Sequence, residues 1–275
     1  MEGLGQNRLW RFLRMSQKEK LAAIKWQLRF SMPAKAAFGS ISWQPRGKMP
    51  LYMAYYPESL WKDPSVCSLY AKWIRGNQIN NNGDGSRFIS LLLNARKVIE
   101  DGIEGDFAEL GVWKGNSAAL LAEVGQLNQR KTFLFDTFEG FDDRDIKGLD
   151  EMRHKGQFQD TSIDYVKETV GFKTSVQYIK GFFPQSIPDE LKDSRFSLVH
   201  IDCDLHDPMK AALEFFYPRM SRGALMIMHD YHSGSWPGAT EAINAFCAVT
   251  GESLMIFPDK SGTAMFRKSS ANHLA

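Results

Sequence analysis

Along this chain, short apolar runs alternate with longer segments whose apolar residues recur at helical spacing. In Gly105–Leu110 a short apolar run carries an acid, Glu109, near its end. It is followed by a turn punctuated by Gly111 and Gly115, and then by Asn116-Ser117, which open an Ala/Leu-rich segment. That order predicts strand, tight turn and helix. Lys131–Asp136 repeats the pattern, with an acid at its end and Thr137-Phe138-Glu139-Gly140-Phe141 beyond it. Ser175–Gly181 predicts a third strand, and Phe196–Asp202 a fourth that runs into Cys203-Asp204. Ala224–Met228 predicts a fifth, followed by His229-Asp230-Tyr231. Ser86–Glu100 and Pro208–Tyr217 read as helices. Strands and helices in alternation predict an α/β fold, a doubly wound Rossmann-like sheet with helices on both faces. Such sheets bind ligands at the carboxyl edge of their strands, where the acids fall here.

Charge divides the chain. Residues 1–50 carry ten Lys/Arg and two acids, and the remainder carries 24 and 30. Leu9, Trp10, Leu13, Leu21, Ile24 and Leu28 recur near helical spacing among those bases. This predicts a basic amphipathic N-terminal extension (1–50), a Pro- and aromatic-rich connector and lid (51–84) and an α/β domain (85–275). The polar loop Asn77–Gly85 reads as a cover over the ligand edge. A basic amphipathic helix suits peripheral contact with an anionic membrane or a partner. Equally it suits packing on its own subunit or a dimer mate, and a homo-oligomer is expected. Nucleic acid is excluded as a partner, because the α/β region is mildly acidic and no reader motif is present. Three scattered cysteines give no disulfide framework, and no segment has the length of a membrane span or the form of a signal peptide. A cytoplasmic location is the expectation.

The edge residues carry candidate chemistry. Gly111 and Gly115 are four apart, so the turn matches neither the dinucleotide fingerprint nor a P-loop, which counts against a nicotinamide dehydrogenase. Glu109 fits a ligand amine, or it caps the next helix. Asp136 stands where doubly wound folds hold ribose hydroxyls, and it also fits a turn-building Asp. Asp202 and Asp230, at neighbouring strand ends, suit a hard cation or serve as helix N-caps. Asp204 is a further acid on the same edge. His229 reads in three ways: metal ligand, general base, or buried hydrogen-bonded histidine. His206 and His232 are weaker base candidates. Trp113 and Trp236 read as pocket wall or core, and Cys203 as a small filler.

Taken together, Gly105–Ser117, Phe135–Phe141, Ile201-Asp202-Cys203-Asp204-Leu205, His229-Asp230-Tyr231 and Pro237–Ala242 resemble the macrocin O-methyltransferase family, from about Gly85 to Lys268. The resemblance implies a class I methyltransferase fold and S-adenosylmethionine as cofactor. It further implies a divalent cation, usually magnesium, and a small-molecule hydroxyl acceptor on a sugar or natural product. It assigns cofactor contacts to Glu109, Gly111, Gly115, Asn116, Ser117, Asp136, Thr137, Phe138, Gly181 and Asp202. It assigns metal ligation to Asp202, His229 and Asp230, and catalysis to Asp202 and His229. A divalent cation would lower the high pKa of a sugar hydroxyl. Two departures stand out. The family usually has two adjacent acids after the fifth strand, and the first is His229 here. A Tyr before Thr-Gly near the C-terminus is replaced by Lys260-Ser261-Gly262. The first departure leaves room for an alternative, a methyltransferase-like scaffold recruited through its N-terminal helix.

Overall fold

A computed structural model describes residues 62–77 and 84–269. The N-terminal extension, with its proposed membrane contact, and most of the predicted lid loop lie outside the described residues. By contact density the chain forms two units, Met1–Ile74 and Arg75–Ala275. In the stretch read as connector stands helix α1 (Pro64–Asn77), whose start is set by Asp63 accepting from the Ser65 amide. No described helix is long and apolar enough to cross a membrane.

The second unit is built as β–α repeats. Its helices are α2 (Gly85–Glu100), α3 (Asn116–Leu127), α4 (Ile163–Val170), α5 (His206–Arg219) and α6 (Pro237–Thr250). Its strands are β1 (Asp106–Leu110), β2 (Thr132–Asp136), β3 (Val176–Lys180), β4 (Phe196–Ile201), β5 (Met220–Met228), β6 (Met255–Ile256) and β7 (Ala264–Arg267). They form one sheet in the order β3-β2-β1-β4-β5-β7-β6. The pairs β1–β2, β1–β4, β2–β3 and β4–β5 are parallel, and β7 runs antiparallel to β5. All five predicted strands are present. The sequence reading omitted β6 and β7, which are short and come after the last α/β repeat.

Alternation along each strand sorts side chains to two faces. Ala108 and Leu110 face a core closed by α5 and α6, through Met209, Leu213, Phe216, Ala239 and Ile243. On the opposite face Leu134 packs against Ala118, Ala119 and Ala122 of α3 and Val166 and Val170 of α4. Glu109 and His200 belong to this second face, in register across β1 and β4. The strand order reverses between β1 and β4, so the cleft for a ligand opens there.

Candidate active site

The turn after β1 and the end of β4 meet at the reversal. Gly111 has φ +85, and a Cβ on it would lie 2.1 Å from the Asp202 carbonyl oxygen. Only glycine allows β1 to leave the sheet so close to β4. The Asp202 amide donates to the Leu110 carbonyl (2.8 Å) and clamps the same point.

At the end of β2, Asp136 organises backbone. One carboxylate oxygen accepts the amides of Val112 (2.7 Å) and Trp113 (2.9 Å), and the other accepts that of Phe138 (2.6 Å). The Thr137 hydroxyl reaches the second oxygen at 3.5 Å, so a ligand hydroxyl that replaced it would take the last of about four acceptor positions. Asp136 thus builds the turn, and its carboxylate also lines the cleft.

The ends of β4 and β5 gather charge. Nδ1 of His229 lies 2.8 Å from Oδ1 of Asp202 and 2.7 Å from Oδ2 of Asp230. Arg87, buried on α2, donates from Nη2 to Oδ2 of Asp202 at 2.5 Å. Behind it, Nε2 of His200 is 3.3 Å from the same Nη2, and Nδ1 of His200 is 2.8 Å from Oε1 of Glu109. A continuous row thus runs Glu109, His200, Arg87, Asp202, His229, Asp230. Burial and Arg87 press the His229 imidazole down, but Asp202 and Asp230 outweigh them and hold it at about 9. Burial works against the Asp202 carboxylate, yet Arg87 and His229 hold it well below the usual range. Asp204 is the opposite case: burial, then the charges of Asp230 and Asp202, push it well above that range. Asp204 and Asp230 both adopt left-handed backbone (φ 64 and 62), conformations that non-glycine residues rarely hold and that cluster at functional sites.

The cleft is lined on this side by Arg87, Asp202, Cys203, Asp204, His229 and Asp230, and on the other by Gly111, Trp113, Asp136, Thr137 and Gly181. An aromatic wall closes it: Trp113 meets Phe158 edge-on, Phe158 meets Phe141, and Phe141 meets Trp236. Of the residues expected to touch cofactor, Glu109, Gly115, Asn116, Ser117 and Phe138 are not among those lining the cleft. Glu109 is fully buried and faces His200, because β1 alternation turns it toward α2, away from the cleft. Gly115, Asn116 and Ser117 belong to the start of α3. His206 pairs with Asp207 and Glu241 rather than facing the cleft, and His232 does not line it either. The wall residues Phe141 and Phe158 lie in the loop 141–161, which the sequence reading took for an acceptor loop, whereas Arg87 and His200 were missed. A cation at the apolar stripe Arg87–Leu91–Ala95 of a helix, and a histidine inside the apolar strand Phe196–Ile201, were the available signals.

The carboxylate and imidazole donor atoms of Asp202, His229 and Asp230 lie within 4.8 Å of one another, close enough to hold an ion. The donor chemistry does not fit a hard dication. Both oxygens of Asp202 and one of Asp230 already face cationic or N–H donors, and the third group is an imidazole.

A macrocin-O-methyltransferase (TylF) family model matches residues 84–264, about two-thirds of the chain. The chain belongs to this family. Among characterised relatives, it is 31% identical over 147 residues to 8-demethyl-8-(2,3-dimethoxy-alpha-L-rhamnosyl)-tetracenomycin-C 4'-O-methyltransferase of Streptomyces olivaceus, spanning 49% of this chain and 56% of that one. It is 26% identical over 159 residues to demethyldecarbamoylnovobiocin O-methyltransferase of Streptomyces niveus, spanning 52% and 60%. The aligned region thus covers little more than half the length of these relatives. The solved O-methyltransferase NovP superposes with a TM-score of 0.58 at 20% identity, covering 67% of this chain and 80% of its own. Calicheamicin methyltransferase CalS11 gives 0.56 at 19%, covering 79% and 99%. These likenesses show the class I methyltransferase fold.

Proposed function

We propose that this protein is an S-adenosylmethionine-dependent O-methyltransferase acting on a hydroxyl of a sugar or natural product. The observation that carries the reading is the cleft at the β1/β4 reversal, with backbone-building Asp136 on one side and the charged centre on the other. Membership of the family supports it. So do the relatives, whose names state methylation of a rhamnosyl-bearing tetracenomycin and of a novobiocin precursor.

The β1–α3 turn, the remaining acceptor position of Asp136, Thr137 and Gly181 hold the cofactor. S-adenosylmethionine, when bound, would supply an electrophilic methyl carbon for an acceptor oxygen, with the thioether sulfur as leaving group. The protein must align that oxygen and remove its proton. Asp202 and His229 stand at the centre of this edge. Asp202, Asp204 and Asp230 are the carboxyl groups at this edge, and the acceptor proton leaves to one that is ionised. The aromatic wall offers faces on which an acceptor ring stacks. The divalent cation implied by the resemblance is left out of this reading, since the groups that would hold it are engaged with Arg87 and His229. The retained cleft and charged centre count against a scaffold that has lost catalysis.

Calorimetry with S-adenosylhomocysteine, followed by methyl-donor turnover against a panel of deoxysugar glycosides and nucleotide sugars, tests the proposal. Binding with turnover of at least one hydroxyl acceptor is expected. No cofactor binding by the folded full chain overturns it.

A further inference from the structure

We infer that this centre carries its positive charge in its own side chains, so that methyl transfer here proceeds without a divalent metal ion. The inference rests on the methyltransferase reading above and deepens it.

Its ground is geometric. An ion shared by Asp202 and Asp230 would have to sit between their carboxylates. Nδ1 of His229 already stands there, 2.8 Å from one and 2.7 Å from the other. To bridge two acceptors at those distances Nδ1 must carry a hydrogen, and a nitrogen that donates has no lone pair for a metal. The remaining oxygen of Asp202 faces the buried Arg87 guanidinium at 2.5 Å. Arginine keeps its proton in proteins, so it cannot make way for an ion by neutralising itself. A dication at this place would meet a fixed positive charge a few ångströms away. Arg87 is also held from behind by the row through His200 to Glu109, so that swinging it aside breaks more than one contact.

What a metal supplies in such a reaction is positive charge near the acceptor oxygen and a fixed place for it. Arg87 supplies the charge, and the Nδ1–H of His229, bridging Asp202 and Asp230, fixes the place. The balance closes without a further reactant. The acceptor oxygen forms a bond to the methyl carbon as the carbon–sulfur bond breaks. The hydroxyl proton passes to an ionised carboxylate at this edge of the sheet, and the sulfonium becomes a neutral thioether.

Manganese is the probe. Electron paramagnetic resonance of the full-length protein titrated with Mn2+ is expected to show no stoichiometric binding. Turnover should change less than about two-fold in excess chelator. His229→Asp removes the bridging donor and restores two adjacent acids, and it should gain Mn2+ binding. The inference is overturned if wild type binds one Mn2+ that Asp202→Asn abolishes, or if chelation stops turnover and Mg2+ restores it. A folded His229→Asp variant that still ignores Mn2+ would overturn the assignment of His229 as the excluding group. The wild-type titration needs neither acceptor nor variant. It therefore decides the point even if His229→Asp does not fold, while absent binding of S-adenosylhomocysteine reports separately on the methyltransferase reading.

Discussion

The two sides of the cleft use the same residue type for opposite ends. Asp136, closing β2, gives three of its acceptor positions to backbone amides. Asp202, closing β4, gives its oxygens to side-chain cations. The first side is shape: a carboxylate holds a loop in place so that a ligand finds a surface ready. The second side is field: carboxylates and cations are set against each other along the cleft. An acid at a strand end can do either. The groups that reach it decide which, and those groups come from elsewhere in the chain.

Breaking the join between the sides should have the largest effect. Gly111→Ala forces a Cβ to within 2.1 Å of the Asp202 carbonyl, at a positive φ that alanine resists. A loss of at least about 3 kcal/mol of stability is expected, read by denaturant unfolding. Unchanged stability would mean that the two strand ends can separate freely. A pair of variants then divides shape from field. Asp136→Ala should weaken binding of S-adenosylhomocysteine by about 2 kcal/mol, because three amides and a ligand hydroxyl lose their acceptor. Asp202→Asn should leave that affinity within a few-fold and cut turnover by about a hundred-fold. The reverse pattern would refute the division.

The smallest effect expected is on pH dependence. The folded value of His229, about 9, lies above its ordinary 6.5. Its stabilisation is therefore fully present below about 6.5 and is lost as pH rises through about 9. Thermal unfolding followed from pH 7 to 10 should show wild type losing stability more steeply than His229→Gln. Parallel curves would place the imidazole outside the charged row.

The frame was legible in the sequence because it is written in local signals. Apolar runs ending in acids mark β1 to β5, and their spacing leaves room for only one kind of sheet. The edge acids were legible for the same reason. Partnership was not. Arg87 reaches Asp202 across 115 positions, and Glu109 finds His200 across 91. Nothing near Glu109 in sequence says that β1 alternation turns it away from the cleft. The antiparallel pair β6 and β7 escaped because two- and four-residue strands are too short to show a period.

One buried acid bears on how this enzyme could be remade. Asp150, fully buried in the loop between β2 and α4, accepts the first amide of α5 from His206 at 2.7 Å. The same carboxylate lies against the start of α6, where a Cβ on Gly238 would come within 2.2 Å of it. One negative charge is thus set at the positive ends of two helices. Asp150 is one of several points that fasten the loop supplying the wall residues Phe141 and Phe158, beside the ion pairs Lys147–Asp207 and Asp160–Lys114. An exchange of that segment would have to carry Asp150 together with the glycine notch at 238. A graft that brings the carboxylate against a side chain at 238 would lose this anchor however well its tip suits a new acceptor.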